Sequence, residues 1–412
     1  MKKVVIVSGV PIYANPRAKK EADVLCNAGY DVEVIGAIYD AESGKIIHEL
    51  VKDVNWMHIP VVDLSKASTI EYWKFQFARI RLKFWKVIKK IFHVENYGLL
   101  GYFPHEIYKL AKARKADLYI LHAEESLWAG SKLLKDGFKV AVDIEDWYSE
   151  DGLPEDRESR PIKIMKECES LLLTKSVFSV TTSKELSQAL SQSYQCLPPE
   201  VIYNSFPNDS TNSKDHDKRD RKDVCVPSIT WFSLTIGPGR GLEQLVEALN
   251  SVQYPFELHI RGLARDGYCG SLLEMANDRS KKSIFFHSQE PQSKLLFRLK
   301  EHDIGYCGEL SDCSSRDLTI TNKMMEYLNA GLVVLATNTR GQKEVAKNIP
   351  KGVFLFEQND VSSLSKLLDK ILGDPGFILE SKKQSILGFE SHYNWGASAN
   401  ILRQLTSKAL SL

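Results

Sequence analysis

The chain has no Cys-x-x-Cys pair and no Cys/His cluster among its seven cysteines. Neither a zinc site nor a disulfide framework is indicated, and reduced thiols in a cytosolic protein are the expectation. No apolar run approaches the roughly 20 residues that a membrane span needs. Neither sign of charge dominates. Against 54 Lys and Arg stand 53 Asp and Glu, a net charge of +1, so no global field points to nucleic acid. No Asp-x-Asp pair stands at the end of a strand-like run to hold Mg²⁺; Asp143-Ile144-Glu145-Asp146 is the nearest rival.

What is present is the composition of a soluble globular protein, 43% apolar and 26% charged, in 412 residues, too long for one ordinary core. Met1-Lys2-Lys3-Val4-Val5-Ile6-Val7-Ser8 starts like a signal segment. Its apolar run is short, and Pro11, Asn15, Pro16 and Arg17 follow at once, so it reads as a first buried strand. Further strand-like runs fall at 32–36, 118–123, 140–144, 178–182 and 201–204, with helical stretches at 16–28, 126–135 and 184–191 between them. Residues 206–223 are polar and of mixed charge and read as a linker. Alternation then resumes, with strands expected at 229–235, 257–260, 284–287, 304–307, 332–336 and 353–355. Strands alternating with helices imply parallel sheets in two doubly wound domains, 1–205 and 224–385, with a closing helical segment at 390–412.

Two segments of the second half carry chemistry. Thr321-Asn322-Lys323-Met324-Met325-Glu326-Tyr327-Leu328-Asn329-Ala330-Gly331 reads as a short helix, capped by Thr321 or Asn322 and stopped by Gly331. At 100° per residue, Asn322, Lys323, Glu326 and Asn329 share one face, and Met324, Met325, Tyr327 and Leu328 the other. A helix N-terminus favours anions and a carboxylate takes two hydroxyl donors, so the pattern suits a ligand with phosphates and hydroxyls. The plain alternative is a surface helix with a solvated ion pair. The second segment, Ile236-Gly237-Pro238-Gly239-Arg240-Gly241, lies between a strand and a helix with Leu242, Leu245, Val246 and Leu249 at helical spacing. Backbone N–H groups around Gly239 and Gly241 can approach an anion, and Arg240 offers a fork of donors to phosphate. The loop matches neither the dinucleotide nor the P-loop pattern, and glycine there also has a purely geometric reading.

Taken together, the chain resembles the GT-B glycosyltransferases over nearly its whole length, in particular those with a family 4 type of C-terminal domain. Asn322-Lys323-Met324-Met325-Glu326-Tyr327-Leu328-Asn329-Ala330-Gly331-Leu332-Val333-Val334 looks like that family's NK-x-x-EYL-x-AG-x-PVV segment. Gly239-Arg240-Gly241 resembles its diphosphate loop, and Asp117-Leu118-Tyr119-Ile120-Leu121-His122-Ala123 a strand of its acceptor domain. Asn15-Pro16-Arg17 resembles the loop after its first strand. Ser183, Asn204 and Tyr393-Asn394-Trp395 fall at further family positions, the last at the start of a helix crossing back to the first domain. The fold implied is two Rossmann-like domains facing each other across a cleft, the first binding acceptor and the second the nucleotide sugar. There are departures. The family's E-x7-E pattern has Leu318 where its first carboxylate would stand, Leu332 replaces a proline, and Leu234-Thr235 replaces a Gly-Arg pair.

The resemblance implies transfer of a sugar from a nucleotide diphosphate sugar, UDP-sugar as first guess, to an acceptor hydroxyl, retaining and with neither metal nor further cofactor. It places Glu326 at the ribose, and Gly239, Arg240, Gly241 and Lys323 at the diphosphate. Thr321, Asn322, Arg261 and His287 complete the donor set, with Arg261 or Lys323 standing in for the missing family cation. His122, Asp143 and Glu309 are the catalytic candidates, Glu309 or Asp317 replacing the carboxylate absent at Leu318. Asn15, Arg17, Glu145 and Asp146 are the acceptor-side candidates; Asp143, Glu145 and Asp146 read equally as caps of the next helix. The expected acceptor is a glycan or lipid-linked precursor. A sugar-nucleotide epimerase and a non-catalytic partner subunit of the same fold are the alternatives, the second kept open by Leu318.

Residues 72–93 read YWKFQFARIRLKFWKVIKKIFH, with seven Lys and Arg, no acid and six Trp and Phe. Such a cationic aromatic helix suits an anionic membrane surface, where each basic residue adds on the order of 1 kcal/mol. The alternative is a helix that packs its aromatics on the first sheet with lysines outward.

Overall fold

The computed structural model describes residues 1–66, 68–207 and 220–411. They form two units. The first comprises Met1–Ile202 with Cys313–Ser315 and Ser398–Leu412, the second Tyr203–Asp312 with Arg316–Ala397. Most of the expected linker, 208–219, lies outside the described residues. Its last four residues belong to the second unit. Asp220 N donates to Glu301, and Lys222 N and Asp223 N donate to Glu257, so buried carboxylates hold this backbone in place.

The first unit is built on seven parallel strands: β1 (Lys3–Val7), β2 (Asp31–Ile38), β3 (Met57–Asp63), β4 (Leu118–Leu121), β5 (Val140–Ile144), β6 (Ser179–Thr181) and β7 (Glu200–Val201), ordered β3-β2-β1-β4-β5-β6-β7. Val4 through Val7 are fully buried, as are all four residues of β4, because helices cover both faces. The order reverses between β1 and β4, in register from Val4↔Leu118 to Val7↔Leu121. Ligands of doubly wound sheets bind beyond the strand ends at such a point. The sequence reading missed β3. It is an edge strand, half-buried, with Pro60 in its middle, a residue tolerated only where the outer edge needs no N–H donor.

The second unit repeats the plan with six parallel strands: β8 (Ser228–Ile236), β9 (Glu257–Ala264), β10 (Ile284–His287), β11 (Ile304–Cys307), β12 (Val333–Thr337) and β13 (Val353–Phe356), ordered β10-β9-β8-β11-β12-β13. The helix Asn322–Ala330 starts at Thr321, whose side chain accepts from Met324 N at 3.3 Å, and stops at Gly331, φ 73°. It is not a surface helix. Every residue from Lys323 to Ala330 is buried. Tyr327 presses on Gly305, where an added Cβ would lie 2.2 Å from its ring, and the helices Gln292–Leu299 and Pro375–His392 flank it. The polar face of Lys323, Glu326 and Asn329 is therefore taken out of water, which is costly unless something is bound or paired there.

Residues 72–92 lie within one long helix, Thr69–Phe92, started by Ser68 and ended by His93 in the left-handed region. Only Ala78 is fully buried. No helix among the described residues is long and apolar enough to cross a membrane.

Candidate functional site

In the second unit the glycine loop follows β8 directly. Gly239 and Gly241 have φ 80° and 69°, and Gly241 is the N-cap of the helix Leu242–Leu249. An added Cβ at Gly241 would lie 2.5 Å from Gly308 O, and Tyr306 Oη donates to Gly241 O at 2.8 Å. Only glycine combines this φ with this approach. The loop thus rests on the end of β11 and carries Arg240 next to Glu309. Arg240 Nη1 lies 2.8 Å from Glu309 Oε2, and Lys323 Nζ donates to the other carboxylate oxygen. Lys323 also lies 5.7 Å from the Trp231 ring. Burial alone would push the Glu309 carboxyl up; Lys323 and Arg240 outweigh it and hold it down at about 2.

Two cations around one carboxylate leave one positive charge beside a helix N-terminus, the field an anion needs. Both oxygens of Glu309 are engaged, so it positions the two cations rather than standing open to a sugar. One turn into the helix, Glu326 is 3% exposed and accepts from Gln292 Nε2 at 2.5 Å. Asn322 at the mouth is exposed and accepts from Asn204 Nδ2 at 2.8 Å. Leu318, where the family carboxylate was sought, is buried, and Asp317 pairs with Arg340 at 2.6 Å.

Arg261 and His287 do not join this group. Arg261 donates to Asp220 and to Ser288 O, and His287 lies 3.0 Å from His259 and 3.4 Å from Asp220. They belong to a separate cluster in which His259 also meets Glu257 at 3.0 Å and lies tilted beside His302, ring centres 4.7 Å apart. Asp220 is out of local reach in sequence, which is why the pairing was not read. The cation that does stand by the loop is Arg265, whose Cδ would lie 3.0 Å from a Cβ on Gly237. Its place after β9, level with the loop, was the only signal for it.

The first unit gathers Asn15, Arg17, His122, Asp143 and Glu145 at the ends of β1, β4 and β5, together with Glu21, which sequence reading did not select. Arg17 Nε lies 2.5 Å from Asp143, and its Nη1 donates to Ile202 O at 2.6 Å. His122 bridges Glu21 at 3.0 Å and Glu145 at 3.1 Å, and Asn15 donates to Glu145 at 3.0 Å while capping its own helix through Ala18 N. Arg17, Glu21 and His122 have no exposed surface, and Asp143 has 1%.

Burial would lower the His122 pKa, but Glu21, Glu145 and Asp143 raise it to about 10, so the ring is an imidazolium. Burial would raise Glu21, which His122 and Arg17 bring down to about 2. Three carboxylates face two cations, and burial pushes Asp143 up to about 8. His122 and Asp143, read as catalytic candidates, and Arg17, read as an acceptor-side candidate, thus lie together in one buried charge network. Arg17 Nη2, Glu21 Oε1 and Asp143 Oδ1 are buried without a hydrogen-bond partner among the described residues, and the Glu145 side chain keeps 19% of its surface exposed. Asp143 and Glu145 do not cap the following helix, since both point into the network. Asp146 is exposed. Glu21, His122 and Asp143 are also close enough to hold one ion; Arg17 engages one of the two Asp143 oxygens.

Another carboxylate stands beside the switch point. After β4, Ala123 adopts φ 62° and ψ 160°, a conformation that costs a non-glycine residue about 1–3 kcal/mol. This turn delivers Glu125 against two glycines from distant segments. An added Cβ would lie 3.0 Å from it both at Gly9 and at Gly101, each with positive φ. Burial, with Glu124 nearby, raises the Glu125 pKa to about 7, whereas Glu124 pairs with Arg160. The aromatic rings of Tyr39, Tyr102 and Phe75 cluster in the same unit, and Glu125 adds to the upward shift of Tyr39. Sequence alone gave no signal beyond its position at a strand end.

No family model and no curated protein matches this chain. Solved structures do match along its whole length. Sucrose-phosphate synthase from Thermosynechococcus elongatus has a TM-score of 0.72 at 14% identity, covering 100% of both chains. HepE from Anabaena, solved in complex with UDP, has 0.68 at 12%, covering 99% of this chain and 100% of that one. The N-terminal domain of trehalose-6-phosphate phosphatase from Candida albicans has 0.67 at 9%, covering 99% and 97%. At these identities the likeness is one of fold. The architecture is that of the GT-B glycosyltransferases, two parallel α/β sheets in one chain.

Proposed function

We propose that the chain is a glycosyltransferase that moves a sugar from a nucleotide diphosphate sugar to an acceptor hydroxyl. One observation carries the reading. In the second unit Glu309 joins Arg240 of the glycine loop to Lys323, and Lys323 shares a buried polar helix face with Glu326 about one turn further on. That spacing suits a diphosphate followed by a ribose. UDP is the first donor base to test, in line with the UDP complex of HepE.

The reaction breaks the bond from the sugar's anomeric carbon to the diphosphate and forms one to the acceptor oxygen. Negative charge grows on the leaving diphosphate. Arg240, Lys323 and the loop N–H groups meet that charge where it develops, fixed in advance by Glu309 and Tyr306. Glu326 would take the two ribose hydroxyls in place of Gln292. With two cations at the diphosphate the transfer needs no metal and no further cofactor; retention at the sugar carbon is the family expectation. In the first unit Glu125 would accept the acceptor hydroxyl, and its raised proton affinity suits proton exchange near neutral pH. A glycan or lipid-linked glycan precursor is the acceptor class proposed.

The test is calorimetric titration with UDP, GDP and ADP, followed by UDP-glucose turnover. Arg240→Ala and Glu326→Ala should each weaken nucleoside diphosphate binding at least tenfold. Normal affinity in both overturns the placement. Interconversion of the sugar without transfer marks an epimerase, and absence of any nucleotide binding marks a partner subunit.

A further inference from the structure

The helix Thr69–Phe92 presents its apolar stripe to solvent. Trp73, Phe77, Ile80, Phe84, Val87 and Ile91 recur at i, i+4, i+7, i+11, i+14 and i+18, and each is 54–66% exposed. At 100° per residue they fall within an arc of about 80°. The opposite face is the one fastened to the first unit. Lys74 donates to Val61 O at 2.5 Å, and Arg81 takes Glu106 with both ends of its fork at 2.9 and 3.0 Å. Trp85 lies where a Cβ on Gly98 would be 2.7 Å away, and Lys89 donates to Arg160 O. Phe75 and Trp85 turn inward, Phe75 against the Tyr102 and Phe103 rings and Trp85 against Gly98, whereas Trp73, Phe77, Phe84 and Phe92 are exposed. A stripe of this length in water is the opposite of what an ordinary amphipathic helix shows.

Its charge is placed as one-sidedly. Arg79, Lys83, Lys86 and Lys90 follow the same helical spacing, about 110° round from the stripe. Lys83, Lys86 and Lys90 have no ion pair among the described residues. The inner cations Lys74, Arg81 and Lys89 are engaged with the protein. Two copies of this face pressed together would bring unpaired lysines near one another in an apolar contact. A lipid surface meets both features at once: the stripe enters the acyl boundary and the lysine row lies level with the head groups.

We infer that the outward face of the helix Thr69–Phe92 is a docking surface for an anionic lipid bilayer. The helix lies flat, with Trp73 and Phe84 immersed and Lys83, Lys86 and Lys90 at the phosphates. The inference does not depend on the transferase reading, and UDP binding is unaffected by its outcome.

The experiment is flotation of the full chain with phosphatidylcholine vesicles, with and without about one third phosphatidylglycerol, at 50 and 300 mM NaCl. Binding is expected only to the anionic vesicles and to weaken in salt. Lys83→Gln/Lys86→Gln/Lys90→Gln should lower the partition coefficient on the order of a hundredfold, from about fivefold per residue. Trp73→Ser/Phe77→Ser/Phe84→Ser should abolish it while far-UV circular dichroism stays as in the wild type, since the ring contacts of these side chains are with neighbours on the same helix. Tryptophan emission should shift to the blue on binding, in Trp85→Phe but not in Trp73→Phe. Absence of binding to anionic vesicles at low salt overturns the inference, as does binding that survives the serine variant. A dimer in sedimentation that the serine variant dissolves also overturns it, because a second copy then covers the face.

Discussion

Replacing His122 by asparagine removes the cation between Glu21 and Glu145, and the structure sets the size of the effect. The ring has no exposed surface and lies 3.0 and 3.1 Å from two carboxylates. Breaking a buried pair by deleting one partner costs about 3–5 kcal/mol. The titration gives the same scale. An imidazole held at about 10 against an ordinary value near 6.5 corresponds to roughly 5 kcal/mol at full effect. Arg17 stays in place and one freed carboxylate can take up a proton, so about 3 kcal/mol is expected near pH 6, against a total stability of about 5–15 kcal/mol.

The pH dependence follows from the direction of the shift. The folded-state pKa is raised, so the stabilisation is fully present below about 6.5 and is lost as pH rises through about 10. Urea unfolding of wild type and His122→Asn at pH 6, 8 and 9.5, followed by circular dichroism, should show a gap in midpoint that narrows with pH. An equal midpoint at pH 6, or a gap that does not narrow, refutes the reasoning. Lost turnover at wild-type stability would assign His122 to the chemistry instead.

Gly241→Ala should lower nucleoside diphosphate affinity by tenfold or more and destabilise the second unit by about 1–3 kcal/mol, because the new methyl meets Gly308 O at a positive φ; calorimetry and thermal melting check both. His259, His287 and His302 are pushed below the usual histidine range, burial being the largest cause in each, so the unfolded chain takes up protons first and stability should fall as pH drops below about 6.5. Urea midpoints at pH 7 and 5 read this, and equal values refute it. Glu125 has a raised pKa, so its ionisation costs stability above about 4.5 and up to about 7. Glu125→Gln should therefore raise the urea midpoint at pH 8 and leave it unchanged at pH 4, while lowering transfer to acceptor more than donor binding.

Local sequence was enough for what local rules control. Short apolar runs bounded by polar or helical stretches read as strands, which is why 140–144, 284–287 and 304–307 were placed to the residue. The edge strand β3 carries Pro60 and half-buried side chains, so no such run existed to read. The loop with Arg240 and the helix with Lys323 and Glu326 were legible because cap, stop and face are set within one or two turns. The pairing of Arg261 and His287 with Asp220 was not legible because Asp220 comes from another segment. Glu21 was missed because it meets His122 across 101 positions of chain.

The sequence by itself determined two doubly wound sheets, the capped polar-faced helix and the glycine loop before it, and a long cationic aromatic helix, since each depends on periodicity and on residues close along the chain. Only the tertiary structure decided that Glu309 holds two cations, that His122 and Asp143 close a buried charge network, that Glu125 stands beside the switch point, and that the aromatics of the long helix face outward. Burial and long-range pairing decide such roles, and a charge or a ring keeps one meaning in water and another in the interior, a difference no local pattern encodes.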